Sequence, residues 1–235
     1  MSWPDADAGY TGPPLPAPRP PFRARFAGFL GILLLLAGLA TIGIAVGAQQ
    51  HAPEPSAAAA GTTGPGNGPG PSLRRSMPVS VNIPAIGVDS KLLRLGLNAD
   101  GSLQVPPLTT SADEAAWYKY SATPGQIGTS VIEGHVDSYQ GPAVFFRLGA
   151  LQPGDTVDVT LSDGVTAIFR ISGVRRYLKI NFPAKTIYGP TDYAALRLIT
   201  CGGTFDYATR HYLDSTVVFA SLISYRLPSG SGNGT

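Results

Sequence analysis

The chain has 235 residues, of which 43% are hydrophobic and only 14% are charged, with 29 glycines and 22 prolines. This length allows one domain with a substantial core but not two large ones. The formal net charge is +2, and the absence of basic runs argues against nucleic acid as a partner. The single cysteine, Cys201, excludes an intrachain disulfide, a cysteine-rich zinc module and a CxxC redox pair.

The N-terminal part predicts a tail followed by a membrane anchor. Residues 1–25 contain seven prolines and few large aliphatic side chains, so we expect a disordered cytoplasmic tail. Residues 26–48 carry no charge, and a helix of this length spans a hydrocarbon core of about 30 Å. Three arginines precede this segment and the next basic residue is Arg74, which predicts a single-pass membrane protein with a cytoplasmic N-terminus. A cleaved secretory signal is the alternative, and it exports the same domain.

The rest of the chain divides into a linker, a β-rich domain and a short tail. Residues 49–76 are rich in Ala, Gly, Pro and Ser, which is typical of a flexible tether. From residue 77 to 226, short apolar segments alternate with turn residues, which favours a closed barrel of about eight strands with short helical connections. Residues 227–235 are expected to form a flexible C-terminal tail.

Within this domain, several strands and turns can be placed. Alternation in the first segment puts Val79, Val81 and Ile83 on one face of a strand. The segments DTVDVTL and VTAIFRISGV flank a Ser-Asp-Gly link at 162–164, which predicts a hairpin. The segment ALRLIT leads into Cys201, and STVVFASLISY predicts a long last strand. Helix is expected only in short stretches around residues 111–118 and 192–196.

Cys201 is the first candidate for chemistry. It ends an apolar segment and is followed by Gly202 and Gly203, so its thiol is expected at a strand end where a ligand can approach the backbone. A lone cysteine is often only a small buried hydrophobe. Outside the cell an unpaired thiol is liable to oxidation, so its presence there favours a nucleophile.

Two histidines are candidates for a general acid or base near neutral pH. His135 follows a short apolar segment and a glycine, with Asp137 two residues later, whereas His211 lies in a polar segment ten residues after Cys201. Either could instead serve only to hydrogen-bond within a turn. The residues alone do not choose between them.

A cation or amide donor is also needed to stabilise the oxyanion of an acyl intermediate. Arg197 lies four residues before Cys201, so on a strand the two side chains share a face. Arg210 lies nine residues after Cys201, in the polar connection before the last strand. Both could instead be solvated surface residues.

Several motifs in order make the domain resemble the class F sortases of actinobacteria. These are VNIPAIGVDS, GTSVIEGHVDS followed by GPAVFFRL, a PGD turn, YGPTD, and LRLITCGGTFD ahead of Tyr212 and a terminal VVFA segment. The match extends from about Val79 to Ala220. The resemblance implies a membrane anchor, a tether and an eight-stranded β-barrel.

The resemblance assigns His135 as the catalytic histidine, rather than His211, and Cys201 as the nucleophile. It implies substrate contacts at Thr200, Gly202 and Gly203. Sortases usually carry an arginine about twelve or thirteen residues after the cysteine, where this chain has Leu213 and Asp214, followed by Ser215. Arg210 is the nearest basic residue and is our candidate for oxyanion or substrate support. Glu133 also departs from the family, which has a small apolar residue before the Gly-His pair.

The resemblance implies a cysteine transpeptidase that cuts an LPXTG-like sorting signal between Thr and Gly and joins the threonine carbonyl to an amine. The implied partners are secreted proteins with such a C-terminal signal, and a lipid-linked peptidoglycan precursor or a pilin amine. No cofactor is required. One cysteine and three histidines leave little for a transition-metal site, whereas calcium binding by loop carboxylates stays open.

Two other functions compete with this interpretation. L,D-transpeptidases also use Cys and His on a β-rich domain, but their histidine lies close to the cysteine in an SHGC-type motif, unlike His135. The other competitor is an inactive, sortase-like domain that binds wall or protein partners without turnover. The absence of an arginine on the last strand favours that alternative.

Overall fold

The computed structural model describes residues 51–65 and 70–228. The predicted tail at 1–25, the predicted anchor at 26–48 and nearly all of the C-terminal tail lie outside the described residues. Within the described ranges, no helix is both long enough and apolar enough to cross a membrane. Residues from His51 onward form one compact unit.

The described residues form ten strands and one short α-helix. The strands are β1 Pro78–Ile83, β2 Val88–Leu95, β3 Ala115–Tyr118, β4 Gly128–Glu133, β5 Asp137–Ser138, β6 Gly141–Pro142, β7 Thr156–Leu161, β8 Thr166–Leu178, β9 Ala194–Asp206 and β10 His211–Arg226, and the helix is α1 Ala184–Tyr188. Eight strands close into a barrel in the order β1-β2-β3-β4-β9-β10-β8-β7, and β5 pairs only with β6. The predicted eight-stranded closed barrel is therefore confirmed.

Alternating side chains fill the barrel interior. In β7, Val157, Val159 and Leu161 are buried and alternate with half-buried polar residues, as expected for a strand with one face on a core. The predicted hairpin between β7 and β8 is confirmed, and Gly164 adopts φ +82° in its turn, a conformation that favours glycine.

The first predicted strand differs in one position. Val81 and Ile83 are fully buried, but Val79 is 43% exposed. The pairing of β1 with β7 shifts register between Pro78 and Ser80. This bulge breaks the alternation, so Val79 does not share the interior face.

The two predicted helical stretches are wrong. Residues Ala115–Tyr118 form β3, which pairs in parallel with β2 and antiparallel with β4. The second stretch overlaps the start of β9. Both contain alanines, which favour helix locally, but burial between two neighbouring strands overrides that preference. The α-helix lies instead at Ala184–Tyr188.

Strand β9 lies between β4 and β10 and carries Cys201. It pairs in parallel with β4, with Glu133 opposite Ile199, and antiparallel with β10, with Ser215 opposite Cys201. Its even-numbered leucines, Leu196 and Leu198, belong to the interior core. Its odd-numbered residues therefore face outward.

A second, smaller core covers the outer face of these strands. It consists of Val131, Ile187, Ile199, Val217 and Phe219. Ile187 belongs to α1, so the loop between β8 and β9 folds back over the outer surface of the barrel. This cover shields Ile199 and Val217, next to Cys201 on the same face, from water.

The segment expected to be a flexible tether packs on the barrel in its described part. Residues Ala57–Ala60 form a 3-10 turn, and Ala59 is fully buried. The Arg175 guanidinium donates hydrogen bonds to the carbonyl oxygens of Ala60, at 2.9 Å, and of Gly61, at 2.8 Å. The Thr62 amide donates to the Ser172 carbonyl at 2.8 Å. The packed unit therefore begins well before residue 77.

We expect a chain starting at Met77 to be less stable than one starting at His51. Its free energy of unfolding should be lower by about 2 kcal/mol, because Ala59 no longer covers β8 and Arg175 loses both carbonyl partners. Urea unfolding of the two chains measures the difference. Arg175→Met in the longer chain should give part of the loss, and equal midpoints for both chains would show that the segment contributes no stability.

Candidate active site

Cys201 lies within β9, on the outward face, two residues past the last pairing of β9 with β4. The strand continues to Asp206, so the prediction that the thiol lies at a strand end is wrong. The Cys201 thiol is half-buried, and the small side chain of Ser215 stands opposite it on β10. The Nζ atom of Lys179 donates a hydrogen bond to Sγ at 3.3 Å. Lys179 begins the 3-10 turn Lys179–Asn181 that follows β8. The nucleophile candidate thus has an ammonium group at contact distance.

His135 comes two residues after the end of β4, which is the neighbour of β9 in the barrel. Glu133 pairs with Ile199 in the parallel register, and the Gly134 amide still donates to the Ile199 carbonyl at 3.2 Å. His135 and Cys201 each lie two residues beyond this pair, at the same end of the parallel ladder. The two residues predicted as acid–base and nucleophile therefore follow the last paired residues of two adjacent strands.

The imidazole ring of His135 is oriented by a loop that connects β2 to β3. Its Nε2 lies 2.6 Å from the carbonyl oxygen of Pro106. A carbonyl oxygen only accepts, so Nε2 carries the proton of this bond. Nδ1 is then the nitrogen left to exchange a proton.

A second contact ties the histidine segment to β10. The Tyr212 hydroxyl donates a hydrogen bond to the carboxylate of Asp137, two residues after His135. Burial raises the pKa of Tyr212 above its ordinary value, and the hydrogen bond to Asp137 and the nearby Asp137 and Cys201 raise it further. Tyr212 therefore remains a neutral donor and holds the His135 segment against the hairpin that carries Cys201.

Glu133 is a buried acid on the same outward face. Its side chain is 6% exposed, and Oε1 has no hydrogen-bond partner among the described residues. Burial raises its pKa from 4.5 to about 8, because an ionised carboxylate loses its hydration there. It lies near Tyr188 of α1, whose pKa is raised to about 12 by burial and by this acid.

The other basic candidates lie away from the sulfur. Arg210 is exposed in the turn between β9 and β10 with φ +57°, and it makes no hydrogen bond or ion pair with any described residue. His211 is exposed at the start of β10. Arg197 is 2% exposed, with its guanidinium 4.6 Å from the Phe219 ring centroid, and it lies four residues, about 13 Å, along the strand from Cys201.

The predicted substrate contacts have packing roles. A Cβ on Gly203, where φ is +72°, would lie 2.2 Å from Asp214 Oδ2, and one on Gly202 would lie 2.8 Å from Thr216 Oγ1. The positive φ favours glycine at 203, and at both positions a Cβ would require a side chain of β10 to shift. Thr200 is buried and alternates with Cys201, so its side chain faces the interior rather than the site.

Lys179 is the site residue that sequence reasoning missed. It precedes Cys201 by 22 residues and lies in no recognisable motif. Its approach to the sulfur depends on the strand order, because β10 lies between β8, which Lys179 follows, and β9, which carries Cys201. Within the described ranges, no group of three or more potential ligands could hold a metal ion.

Glu133 predicts a pH dependence of stability. In the unfolded chain its carboxyl ionises near pH 4.5, but in the fold it ionises near pH 8. The contribution of the neutral acid to stability is thus complete below about pH 4.5 and is lost as the pH rises through about 8. Glu133→Gln should remove this slope and be more stable than the wild type at pH 8, by about 2 kcal/mol.

Urea unfolding of the wild type and this variant at pH 5 and pH 8 measures the slope. Asp113→Asn, at an exposed position, is the matched control and should unfold like the wild type at both values. A slope that persists unchanged in Glu133→Gln would assign it to another group.

The fold agrees with comparisons to known proteins. The sortase domain model matches residues 81–223. Sortase A of Listeria monocytogenes has a TM-score of 0.50 and 14% identity, over 67% of this chain and 93% of that one. Sortase C of Streptococcus pneumoniae has a TM-score of 0.48 and 16% identity, over 67% of this chain and 74% of that one.

Sortase A from Corynebacterium diphtheriae gives a TM-score of 0.46 and 18% identity, over 68% of this chain and 65% of that one. Curated proteins give no match. The family model covers more than half of the chain and includes both Cys201 and His135. The protein therefore belongs to the sortase family of cysteine transpeptidases.

Proposed function

We propose that this protein is a membrane-anchored class F sortase that cleaves an LPXTG-like signal between Thr and Gly and transfers the acyl group to a cell-wall amine. The observation that supports the proposal is the β4–β9 register, in which His135 and Cys201 each lie two residues beyond the paired Glu133 and Ile199. The class assignment depends on the ordered motifs from Val79 to Ala220. The anchor depends on the uncharged segment at 26–48.

The reaction begins with attack of the Cys201 thiolate on the threonine carbonyl carbon. His135, as imidazolium, protonates the leaving amine, and a thioester on Cys201 stores the acyl group. In the second half His135 takes a proton from the incoming amine, which attacks the thioester and releases the thiolate. The Pro106 carbonyl accepts from Nε2 of His135, so Nδ1 exchanges these protons.

The oxyanion requires donors in both half-reactions. The backbone amide of Gly202 follows the nucleophile directly. Arg210 remains the arginine predicted for oxyanion or substrate support, and it would reach the site only if the β9–β10 turn bends toward bound substrate.

The partners follow from this chemistry. They are secreted proteins held by a C-terminal LPXTG-like signal, and a lipid-linked peptidoglycan precursor or a pilin amine. All of these lie at the outer face of the membrane, so an anchored enzyme meets them at a raised effective concentration.

The function is tested with LPXTG-type peptides, with and without an added amine, by intact mass of the full chain in non-ionic detergent. We expect an acyl adduct on the wild type and amine-dependent product. Cys201→Ala should abolish the adduct, and His135→Ala should slow its formation by about 100-fold or more. Arg210→Ala tests the predicted arginine.

A different outcome would favour the binding-module alternative, for which Ser215 in place of a strand arginine is the supporting observation. In that case the folded protein binds a peptide but forms no adduct, and Cys201→Ala leaves binding unchanged.

Tyr212→Phe should lower the rate of acyl-enzyme formation by about tenfold. Without its hydroxyl, the Asp137 carboxylate loses a charge-assisted hydrogen bond worth about 1.5 kcal/mol, and the His135 segment is held less firmly. Tyr207→Phe, at an 81% exposed position in the neighbouring turn, is the control and should acylate like the wild type. Equal rates for Tyr212→Phe and the wild type would exclude this positioning role.

A further inference from the structure

We propose that Lys179 is the catalytic cation of this site. Its ammonium group stabilises negative charge first on the Cys201 sulfur and then on the carbonyl oxygen of the tetrahedral intermediate. The first half of this proposal concerns the thiol alone, whereas the second half rests on the proposed transpeptidation.

The position of Lys179 follows from three adjacent strands. Across them, Cys201 of β9 pairs with Ser215 of β10, which pairs with Tyr177 of β8. Lys179 comes two residues after Tyr177, and its side chain extends across β10 to place Nζ 3.3 Å from Sγ. The small side chain of Ser215 leaves room for this crossing. A long residue on β10 opposite Cys201 would compete for the same space.

The neighbouring guanidinium groups are committed elsewhere or distant. Arg176 contacts Glu54 and Asp214, the latter at 3.3 Å. Arg197 is buried against Phe219, and Arg210 is exposed in its turn. Among the described residues, Lys179 is thus the cation that contacts the sulfur.

The charge of Lys179 is not neutralised by an acid. Within the described ranges no carboxylate forms an ion pair with its Nζ atom, and the nearby Asp214 is paired with Arg176 instead. Lys179 is also exposed, so its ammonium group loses little hydration in the fold. Its charge can therefore interact with an anionic atom at the site.

The chemical step is written with Lys179 as donor only. The thiolate forms a bond to the carbonyl carbon, the carbonyl electron pair moves to oxygen, and the ammonium group donates a hydrogen bond to that oxygen. When the intermediate collapses, the C–N bond breaks and His135 gives its proton to the amine nitrogen. Lys179 keeps its three protons throughout, so no further proton acceptor is required.

Alkylation of the thiol tests the first half of the proposal, because Cys201 is the only cysteine of the chain. Iodoacetate is anionic and iodoacetamide is neutral, and both replace iodide with sulfur. A cation beside Sγ accelerates the anionic reagent selectively. The readout is the ratio of the two second-order rate constants for the full chain in non-ionic detergent at low ionic strength.

We expect Lys179→Met to lower this ratio by about fivefold, the effect of a unit charge near 4 Å in a well-hydrated site. Added salt should shrink the difference. Lys179→Arg keeps the charge and should hold the ratio within about twofold of the wild type. Lys185→Met, at an exposed lysine of α1 in the same loop, should leave the ratio unchanged.

An unchanged ratio in Lys179→Met would overturn the proposal, and a fall in Arg210→Met alone would transfer the role to Arg210. The second half is tested by acylation with an LPXTG-type peptide, where Lys179→Met should be at least tenfold slower and Lys179→Arg largely restored. If the wild type forms no adduct but the ratio falls in Lys179→Met, the transpeptidase function fails while the cation assignment at sulfur stands.

Discussion

The pairing of β9 with a different strand on each side is the constraint on which the site depends. A parallel ladder to β4 brings the histidine segment alongside the cysteine, and an antiparallel ladder to β10 places a small serine opposite it. Neither residue needs an unusual local conformation. The ladder itself stops at Glu133 and Ile199, and the His135 segment is held beyond it by the Pro106 carbonyl and by Tyr212.

The outward face of β4, β9 and β10 has a buried apolar region and a solvent-exposed edge. Ile199 and Val217 are covered by α1, and Glu133 is held there largely without water or a partner. Cys201 lies one step further along the strand, at the margin of this cover, where it is only half-buried. A nucleophile at such a margin has access to a peptide while one side of its surroundings remains apolar.

The sequence predicted the barrel well, because the strands and turns that form it depend on local signals. Alternation and turn residues marked the β7–β8 hairpin, and the Gly-His motif marked the end of β4, whereas the Thr-Cys-Gly-Gly motif lies within β9, which continues to Asp206. The bulge at Val79 and the strand at Ala115–Tyr118 were missed, since each is decided by pairing partners distant in the chain.

The electrostatics of the site were harder to predict for the same reason. Lys179 reaches the sulfur because β10 separates β8 from β9 in the barrel, and the two glycines after Cys201 also lie against side chains of the next strand. The described part of the tether resembled disordered sequence in composition, yet carbonyl groups of its 3-10 turn and the residue after it are bound by Arg175. Amino-acid composition describes only side chains, so it cannot predict hydrogen bonds that are accepted by backbone carbonyl groups.

The parallel β4–β9 ladder also has a consequence for folding. Its two strands are separated by the whole segment 134–193, which includes β7 and β8, so their contact closes a long loop and is slow to form. Until it forms, the chain carries a thiol without its histidine. Because there is a single cysteine, such an intermediate has no intrachain disulfide in which to become trapped.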